Sequence, residues 1–369
     1  MRQTSNPFLA ITAPGITDLK PYVPGKPVSE LERELGIRDS IKLASNENPL
    51  GSSPRVKEAI LAEWPEISRY PDGGGFALRS ALAQKHGLDP DCITLGNGSN
   101  DVLDMIARVF LAPGYESLFS QHAFAVYPIS SQAVGATLKV TPARKFGYDL
   151  EAMVDMVSEK TRVIWIANPN NPTGTWVDGD ALERFIAAVP GNVIVVVDEA
   201  YTEYVEEPDY PDASRWLGKF SNLVVTRTFS KVYGLASLRI GYGLSHPAIS
   251  DLLNRVRQPF NANSLAMAAA LAALQDSTFV QRSVQVNRDG MRQLIAGFEQ
   301  LGLKYIPSVG NFVAVDLGRP AAVIDQALLR AGCITRPIAG YGLPNHLRIT
   351  VGTADENARF LAALAKVIV

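Results

Sequence analysis

The fold is constrained most by a wholly apolar run, residues 193–197, which ends directly in the acid Asp198. The run is strand-sized, and a strand without alternating polar residues is typical of a parallel sheet that is buried on both faces. In open α/β sheets, ligands bind at the carboxyl ends of the strands. The sequence therefore predicts an α/β fold with Asp198 at the ligand-binding edge of its sheet.

Two other predicted strands also lead into residues suited to ligand binding. Residues 161–167 precede the segment Asn-Pro-Asn-Asn-Pro-Thr-Gly, whose two Asn-Pro steps force a tight turn that presents Asn171. Residues 93–100 combine a strand, a glycine-containing turn and the start of a helix near Ser99, where backbone N–H groups attract a phosphate. The spacing G-x-G-x-x-G is missing, so this turn is not a dinucleotide-binding fingerprint.

The segment 224–243 contains the candidate nucleophile, Lys231, which follows the hydroxyl residues Thr228 and Ser230 and precedes Arg239. An amine beside small hydroxyls and a guanidinium suits a lysine that forms a Schiff base with a phosphorylated, carbonyl-bearing ligand. The hydroxyls and the arginine would hold the phosphate of that ligand. Taken alone, the segment could equally well be an ordinary loop with a solvated lysine. The residues at the ends of the upstream strands favour a binding site.

The composition indicates a globular protein, since 47% of the 369 residues are hydrophobic and 20% are charged. The formal net charge of -2 gives no basic footprint for nucleic acid. Cys92 and Cys333 lack the spacing of a zinc site, so no metal site is predicted, and this cysteine usage fits a reducing compartment. Neither a signal peptide nor a membrane-spanning run is evident, so the sequence predicts a cytoplasmic protein.

The two ends of the chain differ from its middle. Residues 1–30 are rich in Pro and Gly and predict an extended arm that contains Tyr22, because the prolines forbid a regular helix. A short helix is predicted over residues 29–35, with Ser29 and Glu32 forming a capping box. In the C-terminal part of the chain helices alternate with short strands, which predicts a smaller α+β domain.

Four motifs resemble, in this chain order, those of the fold-type I pyridoxal-phosphate-dependent aminotransferases of class I and II: NPNNPTG, DEAY, TFSK and SLRIGYG. The resemblance covers essentially the whole chain. It implies a large domain with a mostly parallel mixed sheet flanked by helices, together with a smaller α+β domain. The implied boundaries are an N-terminal arm at 1–30, a large cofactor-binding domain at 52–257, and a small domain formed by 31–51 and 258–369.

The resemblance implies pyridoxal 5'-phosphate as the cofactor and gives the central residues their roles. Lys231 would bond to the carbonyl carbon and later move a proton at the α-carbon of the substrate. Asp198 would face the ring nitrogen and keep it protonated, so that the ring acts as an electron sink. Asn171 and Tyr201 would donate hydrogen bonds to the phenolic oxygen of the ring.

The resemblance also implies how the rest of the cofactor is held. Phe124 would stack on the ring, although the family pattern resembles P-T-Y-x-M-Y and this chain reads HAFAVY, so its stacking residue lacks a phenol. In an active homodimer with shared sites, Tyr70 would reach the phosphate bound by the neighbouring subunit. The residues implied to bind the phosphate within one subunit are Gly98, Ser99, Asn100, Thr228, Ser230 and Arg239.

Within this family, the N-terminal arm and the segments LASNENPLG, RYPDG and LRITVGT look closest to members that act in histidine biosynthesis. These members transfer the amino group of L-histidinol phosphate to 2-oxoglutarate, giving imidazole-acetol phosphate and glutamate. Tyr22, Arg336 and Arg348 would then hold the anionic end of the substrate, with Asn46 beside them. Arg348 would also bind the α-carboxylate of glutamate in the other half-reaction.

Three other functions stay open at this point. An aromatic pocket with arginines would also serve an aminotransferase of phenylalanine or tyrosine with the same fold. A pyridoxal-phosphate-dependent decarboxylase of a phosphorylated amino acid shares much of the pattern. A cofactor-binding regulator or a non-catalytic homologue is disfavoured, because no basic helix-turn-helix segment is evident and Lys231 is intact.

Overall fold

The structure is a computed structural model that describes residues 6–22 and 24–368. Residues 1–5 and 23 of the predicted arm, and residue 369, therefore lie outside the described part of the chain. The α-helices are α1 Val28–Leu35, α2 Pro54–Glu63, α3 Phe76–His86, α4 Ser99–Phe110, α5 Val126–Ala133, α6 Leu150–Asp155, α7 Gly179–Ala188, α8 Pro247–Val256, α9 Ser264–Leu274, α10 Ser277–Gln300, α11 Ala321–Arg330 and α12 Ala354–Val367. The strands are β1 Ile41–Lys42, β2 Ile93–Gly96, β3 Glu116–Ser120, β4 Thr137–Thr141, β5 Thr161–Ala167, β6 Ile194–Asp198, β7 Leu223–Thr228, β8 Gly241–Ser245, β9 Lys304–Ile306, β10 Phe312–Asp316, β11 Cys333–Ile334, β12 Arg336–Pro337 and β13 His346–Thr350.

The larger sheet has the strand order β2-β8-β7-β6-β5-β3-β4. Strand β8 is antiparallel to both of its neighbours, and the remaining pairs are parallel. The apolar run that precedes Asp198 forms β6 in the middle of this sheet, between β5 and β7. The predicted α/β fold with a buried parallel strand is therefore confirmed.

Both faces of this sheet are covered by apolar side chains. On one face, Ile164 of β5 and Val195 and Val197 of β6 belong to a core that α2, α3, α7 and α9 complete. On the other face, Trp165 and Val196 pack into a second core with α4, α5 and α8. Because side chains alternate along a strand, a continuous apolar sequence supplies both cores at once.

A second sheet, in the C-terminal part, is antiparallel with the order β12-β13-β10-β9. It has its own core, where Val313, Leu347 and Ile349 pack with Phe298 of α10 and Phe360 of α12. Strand β1 pairs with β11 in parallel, which joins residues near the N-terminus to this part of the chain. These sheets fit the mixture of strands and helices expected for a smaller domain, while the domain boundaries themselves remain a prediction.

The predicted capping box at the start of α1 is wrong. The helix begins at Val28, its N-cap position is Pro27, and no side chain caps it. Glu32 instead accepts a hydrogen bond at 3.0 Å from the backbone N–H of Ser40, beyond the other end of the helix. The carboxylate thus stabilises the turn that follows the helix and cannot reach back to its start.

The N-terminal arm is less uniformly extended than predicted. A short 3-10 helix spans Leu9–Ile11, and turns follow it up to residue 18. The prolines on which the prediction rested, Pro21, Pro24 and Pro27, lie downstream of this helix and do not interrupt it. Among the described residues, no helix combines the length and apolarity needed to cross a bilayer.

Candidate active site

A cavity of about 390 Å³ lies at the carboxyl ends of the central strands, where the two sheets approach each other. Its lining includes most of the residues singled out from the sequence. They come from the N-terminal arm, the ends of β5, β6 and β7, the start of α4, and the C-terminal sheet. The predicted residues that line it are Tyr22, Asn46, Ser99, Asn100, Phe124, Asn171, Asp198, Tyr201, Thr228, Ser230, Lys231, Arg239, Arg336 and Arg348.

Lys231 lies just beyond the end of β7, and its Nζ donates a hydrogen bond at 3.1 Å to the backbone carbonyl of Ser45. Burial lowers the pKa of this amine to about 7, and the nearby charge of Arg348 adds to that effect. The Nζ lies 5.6 Å from the centre of the Tyr201 ring. An amine with a pKa of about 7 is roughly half neutral at neutral pH, and the neutral form can act as a nucleophile or base.

Asp198 lies at the end of β6, with 5% of its surface exposed, and hydroxyl groups bond both of its oxygens. Tyr127 donates to Oδ2 and Thr226 donates to Oδ1, each at 2.9 Å. Burial raises the pKa of Asp198, while these two hydrogen bonds and the charge of Lys231 act in the opposite direction. The carboxylate is therefore held by fixed donors in place of water.

Neither hydroxyl partner of Asp198 was predicted from the sequence, although a feature of the sequence indicates each of them. Thr226 is the register partner of Asp198 on the adjacent parallel strand, so strand pairing brings the two side chains together. Tyr127 is the second residue of α5 and follows the predicted stacking residue Phe124 by three positions. Phe124 lines the cavity, and its ring contacts the Tyr127 ring edge-on, with centroids 5.7 Å apart.

A cluster of hydroxyls and a guanidinium surrounds the segment after β7. Thr228 donates to the Ser230 hydroxyl at 3.0 Å, and Nη1 of Arg239 lies 3.4 Å from that same oxygen. Arg239 has a φ of +56°, a left-handed conformation that is unusual outside glycine and that aims its side chain here. With the N-terminus of α4 at Ser99, this cluster offers donors of the kind that bind a phosphate.

The turn before α4 is shaped to let Arg239 approach. Gly98 has a φ of +79°, and a Cβ atom built on it would lie 2.4 Å from Nη2 of Arg239. Gly98 itself does not line the cavity, so its contribution is the space that it leaves for the guanidinium. Any side chain at this position would displace the arginine or the turn.

Arg348 brings the C-terminal sheet into contact with the end of β5. Its Nη1 donates to Oδ1 of Asn171, and its Nη2 donates to the carbonyl of Ala44, both at 2.6 Å. Its Nε is buried and has no hydrogen-bond partner among the described residues. Arg336 is the register partner of Arg348 on the neighbouring strand, and its guanidinium lies 5.5 Å from the centre of the Tyr22 ring.

Two amide side chains connect the predicted ring-binding residues. Asn46 donates from Nδ2 to the Tyr201 hydroxyl at 2.9 Å, which leaves the phenol proton available for another acceptor. Burial raises the pKa of Tyr201 to about 12, so the phenol keeps this proton near neutral pH. Asn171 uses its Oδ1 to accept from Arg348, so its Nδ2 group is the one left to donate.

Tyr70 does not join the cavity of its own chain. Its side chain is 82% exposed, and its ring stacks on Phe260 with centroids 4.6 Å apart. The contribution of Tyr70 to a neighbouring subunit remains a prediction.

Comparison with known proteins shows the family of this chain. The family model described as aminotransferase class I and II matches residues 38–364. The chain belongs to the class I and II aminotransferases. It is 60% identical over 366 residues to histidinol-phosphate aminotransferase 2 of Pseudomonas fluorescens, covering 99% of each chain. It is 59% identical to the protein of the same name from Pseudomonas aeruginosa, covering 98% of each chain.

Two solved structures of aminotransferases share the fold. The histidinol-phosphate aminotransferase of Sinorhizobium meliloti, solved in complex with pyridoxal-5'-phosphate, superposes with a TM-score of 0.89 at 29% identity and covers 97% of this chain and 98% of that one. The aspartate aminotransferase of Thermus thermophilus with maleate has a TM-score of 0.83 at 21% identity, covering 96% of this chain and 99% of that one, and so shares the fold. The predicted family and fold type are therefore confirmed.

The residues of this aminotransferase fit pyridoxal phosphate by the chemistry of their donors. Asp198 is a buried carboxylate that would suit the ring nitrogen, and Lys231 is an amine of lowered pKa that would suit the carbonyl group. Ser230, Arg239 and the start of α4 offer hydroxyl, guanidinium and N–H donors that would suit the phosphate. The close approach of Arg239 to Gly98 keeps this donor cluster compact.

Proposed function

We propose that this aminotransferase transfers the amino group of L-histidinol phosphate to 2-oxoglutarate, with pyridoxal 5'-phosphate as its cofactor. The products would be imidazole-acetol phosphate and glutamate, and the reaction belongs to histidine biosynthesis. The observation that carries the proposal is the near-full-length identity to relatives named histidinol-phosphate aminotransferase. The paired arginines Arg336 and Arg348 support it, because a phosphate dianion calls for more than one cation.

The chemistry is divided between the cofactor and the residues around it. When bound, pyridoxal phosphate supplies a carbonyl group that reacts with amines and a ring that accepts electrons from the substrate. Asp198 would hold a proton on the ring nitrogen, because a buried carboxylate stabilises a cation beside it. Lys231 takes the proton from the substrate α-carbon, and its lowered pKa keeps the required neutral amine populated.

The remaining residues bind and orient. Tyr201, whose hydroxyl accepts from Asn46, and Asn171 would donate hydrogen bonds to the ring oxygen, and Ser230 with Arg239 would hold the cofactor phosphate. Arg348 offers its unpartnered Nε to an anionic group of the substrate, the α-carboxylate in the case of glutamate. Tyr22 covers the guanidinium of Arg336 with its ring and so shields the substrate phosphate from water.

We also propose a homodimer with shared active sites. Tyr70 and a series of apolar residues around it are exposed in the single chain, and large exposed apolar side chains mark interfaces. The exposed apolar residues in this part of the chain are Leu61, Trp64, Ile67, Phe76 and Phe260. Their burial by a second copy would place Tyr70 within reach of the partner's cavity.

The proposed setting is the cytoplasm. Cys92 and Cys333 are both buried and free, which suits a reducing compartment. A biosynthetic transamination that draws on glutamate and 2-oxoglutarate would proceed there.

The function is tested by single-turnover half-reactions of the purified, cofactor-loaded protein. Histidinol phosphate, phenylalanine, tyrosine and glutamate are added separately, and conversion of the cofactor is followed by its absorbance. Conversion should be fast with histidinol phosphate and glutamate and slow with the two aromatic amino acids. Equal or faster conversion with phenylalanine or tyrosine would make the protein an aromatic amino-acid aminotransferase and would overturn the proposed substrate.

The same half-reactions with an Arg336→Gln variant test whether Arg336 binds the phosphate of the substrate. The substitution should slow the half-reaction with histidinol phosphate at least ten-fold, because one charge-assisted contact to the phosphate is lost. Conversion with phenylalanine, which has no phosphate, should change much less. A similar loss with both substrates would assign Arg336 a role other than phosphate binding.

A further inference from the structure

Asp198 depends on two hydroxyl donors that the proposed mechanism does not otherwise use. Tyr127 and Thr226 each donate to a different oxygen of the carboxylate at 2.9 Å. Because the group is buried, these donors replace the water that would keep it ionised. Without them, a buried carboxyl group would favour its protonated form, which cannot stabilise a protonated ring nitrogen.

Tyr127 is fixed in place by its surroundings. Its side chain is fully buried, and its ring stacks on Trp165 with centroids 5.2 Å apart and planes 9° apart. The indole N–H of Trp165 in turn donates to the Ser117 hydroxyl at 2.8 Å. Burial and the charge of Asp198 raise the pKa of Tyr127, so the phenol keeps its proton and remains the donor.

The same tyrosine contacts a second residue of the site. Its ring meets Phe124 edge-on, at an interplanar angle of 86°. Phe124 lines the cavity and is the residue expected to stack on the cofactor ring. Tyr127 therefore contacts two of the predicted cofactor-binding residues. These are Asp198, which would bind the ring nitrogen, and Phe124, which would stack on the face of the ring.

We propose that Tyr127 is a positioning residue whose hydroxyl holds Asp198 ionised and oriented for the cofactor ring. The inference rests on the proposed function, because it requires that the chain binds pyridoxal phosphate. A tyrosine that only filled the core would act through its ring, whereas this role needs the phenol hydroxyl and its bond to Asp198.

The first test is Tyr127→Phe, which removes the hydroxyl and keeps the ring. The dissociation constant of pyridoxal phosphate for the apoprotein should rise about ten-fold, since a charge-assisted hydrogen bond is lost. The pH midpoint of the visible absorbance band of the bound cofactor should also shift. Tyr242→Phe is the matched control, because this buried phenol contacts His86 at 3.1 Å and does not contact Asp198.

A double-mutant cycle with Asp198→Asn separates positioning from packing. When Tyr127→Phe is combined with Asp198→Asn, it should change the dissociation constant less than two-fold, because the carboxylate through which it acts is gone. A ten-fold effect in both backgrounds, or none in the wild type, would overturn the inference. Thermal melting of each apoprotein checks folding. If Tyr127→Phe misfolds, Thr226→Val takes its place in the cycle, because it removes the other donor to Asp198 and should weaken binding in the same way.

The two proposals fail in different ways. A wild-type protein that does not bind pyridoxal phosphate would overturn the proposed function. A wild-type protein that binds it and converts with histidinol phosphate, while Tyr127→Phe retains the wild-type dissociation constant and absorbance midpoint, would overturn only the role of Tyr127.

Discussion

The reactive amine of Lys231 is tuned by residues far away in sequence. Burial lowers its pKa to about 7, and Arg348 is the next largest contributor. Neutral amine should therefore increase as the pH rises towards 7 and level off above it. In Arg348→Gln the loss of this charge should raise the pKa and move the levelling-off to higher pH.

Reductive labelling of the apoprotein with a small neutral aldehyde measures this directly. The extent of labelling at Lys231 is read by mass spectrometry across a pH series. Lys219, an exposed residue of the same chain, is the internal reference and should label identically in the variant. An unchanged pH profile at Lys231 in Arg348→Gln would contradict the predicted coupling.

The acid after Asp198 has a structural role that its motif does not reveal. Glu199 is fully buried, and its Oε2 accepts from Nε and Nη2 of Arg227 at 2.9 and 2.7 Å. Arg227→Met should destabilise the fold by about 3–5 kcal/mol, because it leaves a buried carboxylate without its cation. The loss should grow as the pH rises, since the unpaired Glu199 would bind a proton more tightly when folded than when unfolded.

Urea unfolding at several pH values measures this loss. Lys219→Met is the matched control, because it removes the same kind of charge from an exposed pair with Glu183 and should cost less than about 1 kcal/mol. Equal losses in the two variants would show that burial of the pair does not govern its contribution.

At the scale of elements, most of the predicted fold came from the pattern of apolar residues in the strands. The limits of β5 match the strand predicted from the apolar run at residues 161–167. What periodicity could not give is how separate elements meet. Tyr127 reaches Asp198 through the packing of α5 on the sheet, and Arg348 reaches Asn171 through the approach of a second sheet. Such contacts depend on tertiary packing, which a single sequence does not encode locally.

Gly98, in the turn before α4, leaves the space that Arg239 occupies. Gly98→Ala would place a Cβ atom 2.4 Å from Nη2 of Arg239 and should weaken pyridoxal phosphate binding about ten-fold. Gly87→Ala is the control, because Gly87 also has a positive φ of +65° but has no atom within 4 Å of its added Cβ. Both should lose some stability from strain, on the order of 1 kcal/mol.

Titration of each apoprotein with pyridoxal phosphate separates the two glycine effects. Only Gly98→Ala should show the weaker affinity, whereas both variants should melt at lower temperature than the wild type. Equal affinity in the two variants would mean that the approach of Arg239 to Gly98 does not matter for the phosphate.

At the scale of the whole molecule, the single chain leaves one predicted residue outside its own site. Tyr70 is exposed and stacks on Phe260, while Lys231 lines the cavity. If each cavity takes Lys231 from one chain and Tyr70 from the other, two inactive variants should complement each other. Lys231→Ala lacks the amine, and Tyr70→Ala lacks the predicted phosphate contact, so each homodimer should be impaired.

Mixing these two variants under conditions that exchange subunits should restore activity. Each mixed dimer would contain one cavity with Lys231 from the Tyr70→Ala chain and Tyr70 from the Lys231→Ala chain, and its second cavity would lack both residues. Transamination of histidinol phosphate should therefore rise well above the sum of the separate variants. The rise should depend on subunit exchange, which sedimentation of differently tagged chains monitors. If mixed dimers form and activity stays at that sum, Tyr70 would act within its own chain or not at all, and the sites would not be shared.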